Sequence, residues 1–97
     1  MKLKSQAQAG TLESSDLMVL IKPLEEGKGR VVAIDSSVKM QYQESIEKAI
    51  EEVLDELDVK DVQLHVNDKG ALTPVIKARV ETAIKRSAGT AEGTLVE

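Results

Sequence analysis

Large apolar side chains fall in short blocks along the chain, and the spacing within each block predicts an element. Leu17-Met18-Val19-Leu20-Ile21 is an apolar run too short for a helix, so residues 16–22 read as a strand that Pro23 ends. Arg30-Val31-Val32-Ala33-Ile34-Asp35 is a second, β-branched run. Gly27 and Gly29 lie in the stretch between them, so the two runs read as an antiparallel hairpin. Ile46, Ala49, Ile50, Val53, Leu54 and Leu57 line one side of a helix spanning 38–57, with Ser36 and Ser37 as N-cap candidates. Val62, Leu64 and Val66 alternate with Gln63 and His65, the pattern of a half-buried strand over 61–66. Asn67-Asp68-Lys69-Gly70 then turns the chain. Leu72, Val75, Ile76, Val80, Ala83 and Ile84 give a second helix from about 71 to 87. Pro74 is tolerated only in its first turn, and Thr73 can cap a later start.

The order is β-β-α-β-α. It predicts an α+β fold, a two-layer sandwich with a three-stranded mixed sheet and two helices on one face. The strands flanking the first helix run parallel, with the first strand between them and antiparallel to both. The first two strands are apolar on both faces, and two helices cover only one. The other face is therefore either an exposed interface or a surface crossed by the N-terminal segment. Residues 1–16 read as a loose segment, 1–87 as a single domain and 88–97 as a flexible tail.

Composition narrows the function classes. With 97 residues there is room for one core. No cysteine is present, and His65 is the only histidine, which leaves no disulfide, thiolate site or His cluster. Tyr42 is the only aromatic residue, so there is no base-stacking platform, and a net charge of −4 disfavours nucleic acid and anionic membranes. No stretch resembles a membrane span or a secretion signal, and the cytoplasm is the expected location. The carboxylates of the first helix, Glu44, Glu47, Glu51, Glu52, Asp55 and Glu56, read as a solvated face. His65 reads as a surface histidine, and Lys77, Arg79, Lys85 and Arg86 make only a weak case for a nucleic-acid face. Asn67-Asp68-Lys69-Gly70 lacks the glycine spacing of a phosphate loop. Ser14 and Ser15 have no base nearby to activate them, so neither is a nucleophile of this chain. An accessible hydroxyl there still suits modification by another enzyme.

The segment Ala9-Gly10-Thr11-Leu12-Glu13-Ser14-Ser15-Asp16, running on into Met18-Val19, resembles the acyl carrier protein family of citrate lyase, the gamma chain. Further matching blocks are Ser36-Ser37-Val38, then Asp68-Lys69-Gly70-Ala71-Leu72, then Ala78-Arg79-Val80-Glu81-Thr82-Ala83 with Arg86, so that the resemblance spans residues 7–86. Lys39-Met40 and Thr73-Pro74 depart from the family pattern. The resemblance implies a non-catalytic carrier, modified on Ser14 through a phosphodiester to a phosphoribosyl dephospho-coenzyme A group. That group derives from triphosphoribosyl dephospho-coenzyme A and is attached by a holo-citrate lyase synthase. Its thiol bears acetyl or citryl while the alpha chain (acyl transferase) and beta chain (citryl lyase) convert citrate to acetate and oxaloacetate. A malonate decarboxylase carrier is the alternative, and glycine in place of Ser15 in that family argues against it. An unmodified interaction domain is the other. Glu13 and Asp16 flank Ser14 and are expected to hold the arm away from the carrier surface.

Overall fold

The computed structural model describes residues 1–36 and 42–89. Among them the chain forms β1 (Ala7–Gly10), β2 (Leu17–Pro23), β3 (Arg30–Ser36), α1 (Gln43–Glu56), β4 (Val62–Asp68) and α2 (Thr73–Ala88). The two-layer α+β sandwich is as expected, but the sheet has four strands, in the order β1-β2-β4-β3. β3 and β4 are parallel, as the helix between them requires, and β2 runs antiparallel to β4.

The expected hairpin of β2 with β3 does not form, and β4 takes the central place expected for β2. Contacts at Asp61 accompany this order. Its carboxylate accepts the N–H groups of Gly27 and Gly29 at 3.0 and 2.8 Å. Its carbonyl accepts the Leu24 N–H, and Gly29 in turn accepts the Val62 N–H. The loop after β2 is thereby fastened over the start of β4, and β3 resumes on the far side.

The N-terminal segment is not loose. Ala7 to Gly10 pair with Ile21 to Met18 as an edge strand, and Ala9 is buried in the core. Ser87 accepts the N–H groups of Lys4 and Ser5, and the N-terminal ammonium donates to the carbonyls of Leu57 and Asp58. This segment extends the sheet and does not cross its outer face, which leaves Leu20 and Val31 exposed there.

One face of the sheet carries Leu17, Val19, Ile21, Val62, Leu64 and Val66, packed on Ile50 and Leu54 of α1 and Val80 and Ile84 of α2. α1 starts at Gln43 with Tyr42 at its cap, later than expected. Ser36 ends β3 and bonds to Asp68, while Ser37 and residues 38–41 of the expected helix lie outside the described residues. α2 starts at Thr73 with Pro74 in its first turn, and Gly89 closes it in the left-handed conformation. Ala88, assigned to the tail, is the buried last residue of α2, and the tail from 90 onward lies outside the described residues.

Register brings the key segments to one end. Leu17 pairs with Asp68, and Asp68 with Ser36. The β1–β2 loop and the start of α2 therefore share that end. At the opposite end Arg30 ties β3 to Glu51 and Asp55 of α1.

Candidate functional site

Residues 11–16 form the β1–β2 loop. Gly10 opens it with φ +98°, and a Cβ there would sit 1.9 Å from the Leu17 carbonyl oxygen. Only glycine allows the two strands to close at this point. Thr11 donates its N–H to that same carbonyl. The Thr11 hydroxyl accepts the Glu13 N–H at 3.2 Å and donates to Asp16 Oδ2 at 2.6 Å.

The tip is a four-residue turn, closed by the Asp16 N–H on the Glu13 carbonyl at 3.1 Å. Ser15 has φ +66°, whereas Ser14 is not among the positive-φ residues. A turn with a positive φ at its third residue alone is type II, which favours glycine there. Two backbone bonds of 2.9 Å fix its orientation: Ser15 N–H to the Lys69 carbonyl, and Lys69 N–H to the Asp16 carbonyl. Ser14 occupies the exposed corner, and its hydroxyl takes no part in the bonds that hold the loop.

Asp16 does not act as a free flanking acid. Its carboxylate accepts Arg79 Nη2 at 2.8 Å, Arg79 Nε at 3.1 Å and the Leu17 N–H at 2.8 Å, in addition to Thr11. Partial burial pushes the Asp16 carboxyl up, but the bonds from Arg79, Thr11 and Leu17 outweigh it and hold it at about 2, below the ordinary 3.8. Glu13 remains as the exposed acid of the loop. Asp68 braces the neighbouring turn from inside. It is buried, and accepts the Ser36 hydroxyl and the N–H groups of Gly70 and Ala71. Leu12 of the serine loop and Leu72 at the start of α2 are 55% and 72% exposed.

Sequence reasoning missed Arg79 and Asp68 as parts of this site. The other residues singled out stay apart from it. His65 is exposed on the outer sheet face. Lys77 pairs with Glu52 and Lys85 with Glu81, while Arg86 donates to the Gln8 carbonyl. The basic side chains of α2 are thus engaged within the protein and form no free polyanion face. Among the described residues no group of acidic, histidine or cysteine side chains is placed to hold a metal, and no helix is long and apolar enough to cross a membrane. Two surface hollows of about 500 and 490 Å³ lie away from the serine loop.

The arrangement presents an exposed hydroxyl on a loop held by hydrogen bonds that do not involve it. Comparison with known proteins gives the family. An acyl carrier family described as malonate decarboxylase delta subunit (MdcD) matches residues 4–87. The citrate lyase acyl carrier protein of Edwardsiella ictaluri is 46% identical over 88 residues, covering 91% of this chain and 89% of the relative. That of Klebsiella pneumoniae is 48% identical over 88 residues, with 91% and 90% covered. That of Treponema denticola is 45% identical over 87 residues, with 90% and 97% covered. In the crystal structure of a Pseudomonas malonate decarboxylase hetero-tetramer with malonate, one chain shares the fold. The TM-score is 0.73 at 24% identity, over 86% of this chain and 84% of that one. These relatives and the family model mark the chain as an acyl carrier protein, a carrier rather than a catalyst. The chain belongs to the citrate lyase acyl carrier protein family.

Proposed function

We propose that this chain is the acyl carrier subunit of a citrate lyase, bearing a phosphoribosyl dephospho-coenzyme A group on Ser14. The observation that carries the reading is Ser14 itself, an exposed corner hydroxyl free of the bonds that hold its loop, in a chain of this family. A group on that corner extends into solvent without displacing any contact of the fold, so the residues present fit it. When bound, the group supplies the thiol that a cysteine-free chain lacks, and carries the acyl as a thioester.

Attachment balances as a phosphoryl transfer. Ser14 Oγ forms a new bond to the phosphorus next to the ribose of triphosphoribosyl dephospho-coenzyme A. The phosphoanhydride bond breaks, pyrophosphate leaves, and the hydroxyl proton passes to a base of the synthase. The carrier contributes position, not catalysis. Its support, Gly10 through Asp16, keeps the root of the arm fixed while the arm itself moves. A fixed root and a long flexible arm let the acyl-transferase and citryl-lyase chains share one tethered substrate at high effective concentration.

The test is an intact mass and peptide map of protein made in cells with active citrate lyase maturation enzymes. One phosphoribosyl dephospho-coenzyme A on the Ser14 peptide is expected. The Ser14→Ala protein should fold with unchanged stability, since the hydroxyl holds nothing, and should carry no group. An unmodified wild-type chain under those conditions would overturn the reading.

A further inference from the structure

Ser14 and Ser15 are adjacent and chemically alike, yet the fold treats them differently. The peptide joining them can point either way in a four-residue turn. One orientation gives a type II turn, with the third residue left-handed. Rotation of that peptide gives a type I turn, which suits an ordinary residue at the third place. For serine the type II form is the costlier one, because a left-handed residue brings Cβ close to the carbonyl oxygen. It persists here because the Ser15 N–H, which belongs to the joining peptide, is captured by the Lys69 carbonyl. That capture depends on Asp16, whose carbonyl accepts the Lys69 N–H and whose carboxylate is held by Arg79 and Thr11.

We infer that Asp16, Arg79 and Thr11 are positioning residues that select Ser14 over Ser15 as the hydroxyl to be modified, by locking the type II turn. This rests on the reading that Ser14 receives the group. In the locked turn Ser15 is bound through its backbone to the β4–α2 turn, and drawing it into another enzyme's active site would break that bond. Ser14 contributes neither N–H nor carbonyl to the bonds that hold the loop, so it enters without loss. With the clamp released, the turn relaxes toward the form serine prefers, and the two hydroxyls become competing acceptors. The ion pair thus sets which oxygen forms the phosphodiester, without touching the donor.

The experiment loads wild type, Arg79→Gln, Arg79→Lys and Thr11→Val with triphosphoribosyl dephospho-coenzyme A and the synthase. It reads the initial rate and the division of product between Ser14 and Ser15 by peptide fragmentation, with a melting curve for each protein. Wild type should load on Ser14. Arg79→Gln should load about tenfold more slowly, a transition-state loss of about 1.4 kcal/mol, and place a measurable share on Ser15. Arg79→Lys should restore part of both the rate and the selectivity. Thr11→Val keeps the ion pair and should shift both in the same direction by less, so it decides the matter if Arg79→Gln does not fold. Variants with lower melting temperatures that still load on Ser14 alone, at the wild-type rate, would show a purely structural role and overturn the inference. Wild type that takes no group, or takes it elsewhere, overturns the underlying reading and the inference with it.

Discussion

Arg79 of α2 grips Asp16 with two nitrogens, Nε on one carboxylate oxygen and Nη2 on the other, at 3.1 and 2.8 Å. The pair joins residues 63 apart in sequence and fastens the serine loop to the helix layer. The Asp16 side chain is 14% exposed but that of Arg79 is 39% exposed, so solvent screens the contact in part. Its folded-state carboxyl titrates at about 2 against an ordinary 3.8. A group with a lowered folded value adds stability that is complete above its unfolded value and is lost as pH falls through the folded one. Discounted for solvent at the arginine, Asp16 should contribute about 1–2 kcal/mol at neutral pH, falling away between about pH 4 and pH 2. Urea unfolding of wild type and Asp16→Asn across pH 2–7 measures this. The gap should be widest at neutral pH and narrow in acid, and a gap independent of pH would contradict it.

Gly10 sets the entry to the same loop. Its φ of +98° is costly for any other residue, and an added methyl would meet the Leu17 carbonyl oxygen at 1.9 Å. The obstacle is backbone on both sides, so no rotamer relieves it. Gly10→Ala should cost at least about 2 kcal/mol and lower the hydrogen-exchange protection of the Thr11 N–H. Full stability in that variant would mean that the two strands close differently.

Much of this fold is legible from spacing. Alternation gave β4 its buried Val62, Leu64 and Val66, and the helical stripe named five buried residues of α1 correctly. β1 escaped because Ala7-Gln8-Ala9-Gly10 has no β-branched or aromatic residue, and only the alternation of its two alanines hinted at a strand. Strand order escaped because the contacts that fasten the loop after β2 over the start of β4, from Gly27 and Gly29 to Asp61, join residues more than thirty apart in sequence. Ser14 came from resemblance, not from periodicity. Its supporting clamp was illegible, since a flanking aspartate and an arginine on a distant helix carry no local sign of pairing.

Ser15 is the position where the local rule and the residue disagree. Serine at φ +66° pays the steric penalty that glycine avoids. Ser15→Gly relieves the strain but adds freedom to the unfolded chain, so the net gain should be up to about 1 kcal/mol. Ser15→Val, branched at Cβ, should instead lose about 1–2 kcal/mol. Thermal melts of both at neutral pH test the sign. Equal melting temperatures would mean that the turn is not left-handed at this residue in solution.

Leu72 is the other mismatch. It is the N-cap of α2, extended at φ −77° and ψ 156°, with no side-chain cap bond, and it is 72% exposed. Caps are usually Ser, Thr, Asp or Asn, whose oxygen accepts a free N–H of the first turn. Pro74 has already removed one such donor, and the Leu72 carbonyl accepts the N–H groups of Val75 and Ile76. Little need remains for a side-chain cap, which lowers the cost of leucine here but does not explain its presence. Leu72→Asp would offer the Val75 N–H a second acceptor and place a negative charge at the positive end of the helix. It should stabilise the protein by about 0.5–1 kcal/mol, with the α2 amides exchanging more slowly. Urea unfolding at neutral pH gives the sign directly. A clear loss would show that Leu72 packs against the fold in solution, so that its side chain supports the turn bearing Lys69 and, through it, the serine loop.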